Sequence, residues 1–290
     1  MTDKQRYIGR FAPSPTGPLH LGSLYTALAS YLDAKSHQGQ WLLRIDDLDT
    51  PRNISGATDY ILNTLDAFGL HWDGGVTYQS DCIAFYEAEL ARLINKQIIY
   101  PCVCSRKTLA TDGECYCINK QIDLTVPHAY RVKTDQSLIQ FVDQIQGLVS
   151  ISMAEQADFI LKRKDQIVAY QFAVVVDDHI KGVNHVVRGC DLLDSTPKQI
   201  YLQKLLGFAL PVYMHVPVII DAHGFKLSKQ TLAEGVNLKD SQKIIFKLLD
   251  LLWQSPPKEL YNAPVLELLE WAVQHWNPSA LKHSQSIVES

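Results

Sequence analysis

The chain has 290 residues, of which 47% are hydrophobic, so it can bury a full core and form one large domain with a smaller satellite. Its formal net charge of −4 and isoelectric point near 6.2 exclude a global basic field as the means of holding nucleic acid, and leave a local patch as the alternative. No apolar run approaches the ~20 residues of a membrane span, and no apolar signal region follows the first charges. We therefore expect a cytoplasmic protein, monomeric by default, with no membrane partner.

The first third of the sequence alternates strand and helix patterns. We predict strands at residues 7–11 and 41–45 and helices at residues 23–35, 57–68 and 85–96, from the spacing of apolar residues. This alternation is typical of a parallel α/β sheet. We interpret residues 1–100 as the first half of a Rossmann-like nucleotide-binding domain.

The remainder of the chain divides into three parts. Residues 101–150 read as an irregular, Cys-rich insertion, and residues 151–235 as the second half of the sheet domain. In that half, "AYQFAVVV" and "HVVRG" read as buried strands, and "VYMHVPVII" as another. Ser195 and Thr196 are expected to cap a helix that Pro197 opens and that runs to Leu206. Residues 236–290 contain short amphipathic helices and a polar tail.

Four of the six cysteines form two Cys-x-Cys pairs, Cys102 with Cys104 and Cys115 with Cys117. Two such elements close together offer four thiolates to one tetrahedral zinc ion, and we predict one structural zinc per chain. Long-range disulfides or simple buried thiols are the alternatives. Cys82 and Cys190 are solitary.

The stretch "FAPSPTGPLHLGS", residues 11–23, combines three prolines and two glycines immediately before a helix. The prolines fix the path of the backbone, and Gly17 and Gly22 remove side chains close to His20. Free amide hydrogens and the helix dipole favour an anion at such a helix start, so the stretch suits a phosphate group. A proline-rich loop with a partly exposed histidine is the alternative.

A second basic motif, "FKLSK", lies about two hundred residues downstream. Lys226 and Lys229 flank Ser228, and lysine is a flexible point charge that can follow charge moving toward a leaving pyrophosphate. The motif could therefore close over a polyphosphate. On its own it would be a solvated basic loop.

Together the two stretches resemble the HIGH and KMSKS signatures of class I aminoacyl-tRNA synthetases. Five segments in order, "RFAPSPTGPLHLGSLYTAL", "LLRIDDLDTPR", "GLHWDGG", "HVVRGCDLLDSTPKQIYL" and "KLSK", resemble the glutamyl-type synthetases over roughly residues 6–235. The resemblance implies an α/β fold: a Rossmann-like class I synthetase catalytic domain with a zinc-binding insertion and a small C-terminal helical region.

The resemblance also implies a reaction and its residues. The α-carboxylate of L-glutamate would attack the α-phosphate of ATP, with Mg²⁺ accompanying the nucleotide, and an RNA hydroxyl would then take the glutamyl group from the adenylate. His20, Gly22 and Lys229 would hold ATP, and Lys226 and Ser228 would join them at the transition state. The implied glutamate pocket consists of Arg10, Phe11, Ala12, Pro13, Ser14, Asp46, Tyr170 and Arg188.

The sequence departs from the family pattern at two positions. Asp46 stands where the family usually has glutamate, so the pocket shifts, a water fills the gap or the amino-acid preference differs. Ser23 replaces the last letter of the HIGH signature, a position where small residues are tolerated. A salt-bridge cluster is the alternative reading of the charges at Arg44, Asp46, Asp47, Asp49 and Arg52, and suits Asp49 and Arg52 better than Asp46.

In related chains the insertion binds zinc through cysteines and, in some, a tyrosine, so Tyr116 competes with Cys115 as a ligand. In "VVDDHIKGVNH", by contrast, Asp177, Asp178, His179 and His185 are not expected to bind a metal. Turn capping and an internal hydrogen-bond network are the better interpretation, because no second carboxylate–histidine pair completes a site.

About sixty residues follow Lys229, and a chain of 290 residues has a radius of gyration of about 19 Å, too small to hold both ends of one tRNA. With this short length and the family signatures, the chain resembles a branch of the family whose members place glutamate on the queuosine base in the anticodon of tRNA(Asp). The alternatives are a truncated or split core that charges a tRNA 3′ end, a non-catalytic glutamate- or RNA-binding paralogue, and a small nucleotidyltransferase.

Overall fold

The computed structural model describes residues 6–105, 108, 115–221, 224 and 235–288. The strands are β1 (Ile8–Phe11), β2 (Gln40–Ile45), β3 (Thr77–Tyr78), β4 (Ile99–Cys102), β5 (Ala129–Val132), β6 (Leu138–Asp143), β7 (Gly147–Ser152), β8 (Phe159–Lys162), β9 (His185–Gly189), β10 (Val212–Val216), β11 (Val218–Ile220) and β12 (Ser286–Val288). The helices are α1 (Leu21–Ser36), α2 (Ala57–Ala67), α3 (Ile83–Asn95), α4 (Tyr170–Ile180), α5 (Thr196–Leu206), α6 (Ser241–Leu251) and α7 (Val265–His275).

Two groups of parallel strands from distant parts of the chain lie side by side. β1 pairs with β2 and β2 with β3, while β9 pairs with β10, all in parallel. Asn184, just before β9, joins the groups: its backbone N–H donates to the Ile8 carbonyl, and its Oδ1 accepts from the Ile8 N–H at 2.8 Å. The prediction of a parallel α/β domain is confirmed. Arg10 on β1 and Arg188 on β9 thereby reach the same end of the sheet, where ligands bind in folds of this class.

Helix α1 packs its apolar face on β2 and anchors the core of this half. Leu24, Leu28 and Leu32 are fully buried, as is Trp41 of β2, whose Nε1 donates to Ser30 Oγ at 2.9 Å. The helix begins at Leu21, two residues earlier than predicted, because His20 serves as its N-cap. The core therefore fixes the position of the helix start that follows the proline-rich loop.

The prediction of a buried strand at "AYQFAVVV" is wrong, because these residues form the start of α4. A short continuous apolar run has no period that separates a strand from a buried helix. Residues Phe172–Val176 are buried on every side, since α4 packs between α3 and α5. The error matters for the site, because the helix carries Asp177 and Asp178 inward.

Residues 101–150 are also more regular than expected. β5 pairs antiparallel with both β4 and β8, and β6 with β7 forms a hairpin. The hairpin was missed because both of its faces carry apolar side chains: Leu138 and Val142 are 55% and 64% exposed, opposite the buried Ile139. That composition hides the alternation by which a half-buried strand is recognised.

Two further expectations need correction. α5 runs to Leu206 as predicted, but Ser195 makes no capping bond with its side chain, and its Oγ accepts from Gln171 Nε2 instead. The predicted strand "VYMHVPVII" is divided at Pro217 into β10 and β11, since proline has no N–H for the ladder. β11 pairs with β12, which lies in the predicted polar tail.

The amphipathic helices α6 and α7 confirm the predicted helical C-terminal region. Within the described residues, no helix combines the length and the apolar character needed to cross a membrane.

Candidate active site

A cavity of about 300 Å³ opens at the C-terminal ends of β1, β2 and β9. Every predicted substrate-binding residue that the structure describes lines it: Arg10, Phe11, Ala12, Pro13, Ser14, His20, Gly22, Asp46, Tyr170 and Arg188. Residues almost 180 positions apart in the sequence therefore meet at one site. The predicted Lys226, Ser228 and Lys229 lie outside the described residues.

The proline-rich loop forms one wall of this cavity and is held at both sides. The Pro13 carbonyl accepts from the Asp46 N–H at 3.0 Å, and the Pro15 carbonyl accepts from the Ile54 N–H at 2.9 Å. Gly17 has a φ of 128°, a conformation that favours glycine. The loop delivers the start of α1, with Gly22 and Ser23, to the cavity, so the positive end of the helix dipole faces it.

His20 is oriented by the residue that departs from the family signature. Its Nδ1 accepts from the Ser23 N–H at 3.3 Å, and its Nε2 lies 2.9 Å from Ser23 Oγ. Because a backbone N–H can only donate, Nδ1 is unprotonated and Nε2 carries the proton of the neutral ring. The small polar Ser23 thus fixes the ring and its tautomer.

Arg188 is almost completely buried and has a hydrogen-bond partner for each of its three nitrogens. Nε donates to His215 Nε2 at 3.1 Å, and one terminal nitrogen donates to Thr196 Oγ1 at 2.9 Å. The other terminal nitrogen lies 3.4 Å from the Tyr170 hydroxyl, at the cavity. The Tyr213 ring lies 5.5 Å from the guanidinium carbon.

Arg10 and Arg44 are buried against three carboxylates. Arg10 Nε lies 3.2 Å from both oxygens of Asp178. Arg44 Nε donates to Asp46 at 2.6 Å, and Arg44 Nη1 donates to Asp178 at 2.7 Å. Asp177 lies 3.5 Å from Arg44 Nε. We call these five residues the carboxylate cluster; its charges leave one negative charge uncompensated.

The carboxylate cluster confirms the interpretation of Asp177 and Asp178 as parts of an internal network, although they lie within α4 and do not cap a turn. Asp177 also accepts from the Tyr86 hydroxyl at 2.5 Å and from Gln79 Nε2 at 2.7 Å. In the part of the chain that the structure describes, they belong to no group able to hold a metal.

Burial and the neighbouring charges shift the pKa values of the carboxyl groups in the cluster. Burial raises the pKa of Asp46 to about 6, although Arg44 acts in the opposite direction. Burial also raises the pKa of Asp177. Burial would raise the pKa of Asp178 too, but Arg10 and Arg44 outweigh it and the net shift is downward. Of the three carboxylates in the cluster, Asp46 lines the cavity, together with Arg10 and Arg44, so a cation bound beside Asp46 would balance the charge of the cluster.

The charged residues that follow Asp46 in "LLRIDDLDTPR" lie outside the cluster and are half-buried or exposed. Arg52 is 66% exposed and lies 3.5 Å from Asp49, which agrees with the salt-bridge interpretation of that pair. Asp47 accepts from the Ser80 N–H and hydroxyl. Exposed pairs of this kind contribute little to stability.

Sequence reasoning missed the residues behind Arg188, namely Thr196 as a side-chain partner, His215 and Asp143. His215 Nδ1 donates to Asp143 Oδ2 at 2.6 Å. One signal was present in the sequence: His215 is a lone polar residue in an apolar strand, and a buried polar group needs a partner. Nothing in the sequence identifies that partner, since Asp143 is 72 positions away in the hairpin.

The four paired cysteines converge at a second location. Their sulfur atoms lie within 4.8 Å of one another, with the three shortest separations between 3.4 and 3.7 Å. A disulfide would need about 2.05 Å, whereas ligands of one tetrahedral zinc are separated by about 3.8 Å. The group can therefore hold one metal ion. Tyr116 is 43% exposed beside it, while Cys115 contributes its sulfur to the group.

The surroundings of the cysteine group suit a metal with anionic ligands. Arg131 and Lys164 line a cavity of about 290 Å³ together with Cys102 and Cys104. Among the residues that the structure describes, Arg131 Nε is buried without a hydrogen-bond partner, and Lys164 Nζ donates to the carbonyl of Val103, between the two cysteines. Two cations placed here would offset the charge of a metal ion bound by four thiolates.

Comparison with known proteins agrees with this fold and site. Residues 8–115 and 118–248 match the family described as tRNA synthetases class I (E and Q), catalytic domain, and the chain belongs to this family. Two similar relatives are the glutamyl-Q tRNA(Asp) synthetase of Ectopseudomonas mendocina, 44% identical over 98% of both chains, and that of Neisseria meningitidis serogroup A, 47% identical over 93% of this chain and 96% of the relative.

The fold has a counterpart among solved structures. A glutamate tRNA ligase from Elizabethkingia meningosepticum, in complex with its amino acid, superposes with a TM-score of 0.83 and 23% identity, over 99% of this chain and 67% of the other. The predicted class I synthetase fold is confirmed.

Replacing Arg44 by methionine should strongly destabilise the protein, because Asp46, Asp177 and Asp178 would remain buried with Arg10 as their only cation in the cluster. Loss of one partner from a buried ion pair costs about 3–5 kcal/mol. Urea unfolding would measure it. Arg52→Met is the matched control and should change the free energy of unfolding by about 0.5 kcal/mol or less, since that arginine is exposed. Equal effects would contradict the account of the cluster.

Proposed function

We propose that this protein activates L-glutamate with ATP to form glutamyl-adenylate and transfers the glutamyl group to queuosine in the anticodon of tRNA(Asp). One observation carries the first half: Arg10, Arg188 and Asp46 face a single cavity that also contains the start of α1. The relatives named glutamyl-Q tRNA(Asp) synthetase, aligned over nearly their whole length, support the second half.

The charges of the cavity complement those of glutamate. The substrate has two carboxylates and one ammonium group, and arginines bind carboxylates through paired N–H donors. Arg188 and Arg10 would hold the carboxylates. The ammonium group would lie at Asp46 and the Tyr170 hydroxyl, where it supplies the positive charge that the carboxylate cluster lacks.

ATP would occupy the remainder of the cavity, with its phosphates at His20 and the Gly22 backbone. The described residues on either side of the segment that contains Lys226, Ser228 and Lys229 lie near the cavity wall formed by His20 and Gly22. Ile219 lines the cavity before the segment, and after it the Val236 N–H donates to the Leu19 carbonyl at 3.2 Å. This supports a role for the two lysines at the phosphates, with Mg²⁺ accompanying ATP. The chemistry then needs positioning and charge stabilisation and no protein nucleophile.

We also propose that the metal of the cysteine group is zinc, held by Cys102, Cys104, Cys115 and Cys117 with Tyr116 outside the ligand set. The sulfur-only donors favour a soft-ligand metal such as zinc. The metal supplies no chemistry to the reaction. These residues would tie the end of β4 to the chain that follows it.

The decisive assay of function is glutamate transfer to tRNA(Asp) prepared with and without queuosine. Labelled glutamate should be attached to the queuosine-containing tRNA alone, and attachment should persist after the 3′-terminal adenosine is removed. Loss of attachment with that adenosine would instead identify a synthetase core that charges the 3′ end. Absence of ATP–pyrophosphate exchange with glutamate would point to a non-catalytic binding protein.

The elevated pKa of Asp46 predicts a pH dependence of glutamate activation. The ammonium group pairs with the ionised carboxylate, so kcat/KM for glutamate in the exchange reaction should fall about tenfold per pH unit once the pH drops below about 6. Asp46→Asn should lower kcat/KM throughout and abolish this inflection. A flat profile between pH 5 and 7 in the unmodified protein would contradict the role of Asp46.

Metal analysis of the purified protein should find about one zinc per chain. Cys104→Ser should lose it, because Cys104 lies 3.5–3.7 Å from two other sulfurs of the group. Cys82→Ser is the matched control and should retain it, since Cys82 is outside the group. Full zinc content in Cys104→Ser would exclude this cysteine as a ligand.

A further inference from the structure

A buried chain of hydrogen bonds runs from the insertion hairpin to the glutamate pocket. Asp143 at the end of β6 accepts from His215 Nδ1 at 2.6 Å, and His215 Nε2 accepts from Arg188 Nε at 3.1 Å. Asp143 and His215 are essentially inaccessible to solvent, and Arg188 is 4% exposed. None of these contacts joins neighbours in sequence.

The hydrogen bonds from Arg188 through His215 to Asp143 allow one arrangement of their protons. A guanidinium group only donates, so His215 Nε2 must be the acceptor and Nδ1 must carry the proton. The Thr196 hydroxyl lies 3.0 Å from the same Nε2 and accepts from Arg188. Burial lowers the pKa of His215, which agrees with a neutral ring. Asp143 is the group that keeps the proton on Nδ1.

Asp143 is itself fixed by the turn of the hairpin. Its Oδ1 accepts from the N–H groups of Ile145 and Gln146 at 3.1 and 2.9 Å. Gln146 Nε2 in turn donates to the carbonyls of His215 and Ser284. The carboxylate therefore cannot turn away from His215 without breaking the hydrogen bonds of the turn and the bond that its Oδ1 accepts from the His215 N–H at 3.2 Å.

We propose that Asp143 and His215 are positioning residues for glutamate: they hold Arg188 in the orientation that binds a substrate carboxylate. The inference rests on the proposed function and adds residues that do not line the cavity. Two of the three nitrogens of Arg188 are held from behind by His215 and Thr196, and the third is at Tyr170 beside the cavity. A guanidinium so fixed loses little further freedom when it binds a ligand.

Loss of the Asp143 charge would release this arrangement. An asparagine can offer its amide N–H to Nδ1, which favours the His215 tautomer protonated on Nε2. That N–H would then face the Nε–H of Arg188, and two donors cannot bond each other. Arg188 would lose the acceptor that fixes its Nε, just as the wrong histidine tautomer in a buried Asp–His pair disables the group that depends on it.

The test is steady-state ATP–pyrophosphate exchange by the full-length protein with L-glutamate. Asp143→Asn should raise KM for glutamate about tenfold, the factor expected when a charged hydrogen bond behind a binding group is lost. KM for ATP and kcat should change by about twofold or less, because the phosphate wall is not involved. Asp135→Asn is the matched control: Asp135 also caps a turn before a strand, accepting from the Ser137 N–H, and should retain the unmodified KM.

A second pair of variants tests the same chain of hydrogen bonds without altering the hairpin. His215→Gln, whose amide can donate and accept, should keep a lower glutamate KM than His215→Leu, which can do neither. The pair also carries the test if Asp143→Asn does not fold.

Equal glutamate KM values in His215→Gln and His215→Leu would overturn the proposal, as would an unchanged glutamate KM in folded Asp143→Asn or an equal rise in both KM values. An unmodified protein inactive in exchange would refute the proposed function, and the inference with it; an active one with any of the preceding results would refute the inference alone.

Discussion

The site depends on a guanidinium surrounded by carboxylates. Arg44 on β2 contacts Asp46, the residue that follows this strand, and Asp177 and Asp178 on α4. Asp178 also contacts Arg10 on β1. This arrangement is no simple stabilising device, because the desolvation of buried charges offsets much of their attraction. Its effect is positional: it brings two strands and a helix from distant parts of the chain to fixed distances, and it leaves one net negative charge beside the cavity.

The two sides of the pocket carry opposite charges. On one side, burial raises the pKa of Asp46 to about 6, Asp177 adds to the shift, and the negative charge of the cluster favours a cation there. On the other side, Arg188 is backed by the neutral ring of His215, and no carboxylate among the described residues pairs with it directly. Asp143 orients that ring from one residue further away. A zwitterion with an additional carboxylate matches this separation of charge better than a neutral or purely anionic ligand.

Much of the fold could be read from the sequence, and the failures have physical causes. The strands that carry Arg10 and Arg188 and the helix that follows His20 were predictable, because each has a clear apolar pattern next to a turn or cap. Helix α4 was taken for a strand because a fully buried run has no periodicity. The lining residues were predictable from motif resemblance, whereas Asp143 behind them was not, since its role arises only when a hairpin meets a strand 72 positions away.

The insertion at residues 101–150 therefore contributes to two sites. Near its start it brings the four cysteines together, and near its end the hairpin of β6 and β7 inserts Asp143 behind Arg188. A reaction without a protein nucleophile gains its rate from how well the reactants are oriented, and small displacements of a binding group are costly. A segment packed through Gln146 against β10 and the residues before β12 has few ways to move independently of the pocket. Its hydrogen bonds make the insertion a structural part of the proposed amino-acid site.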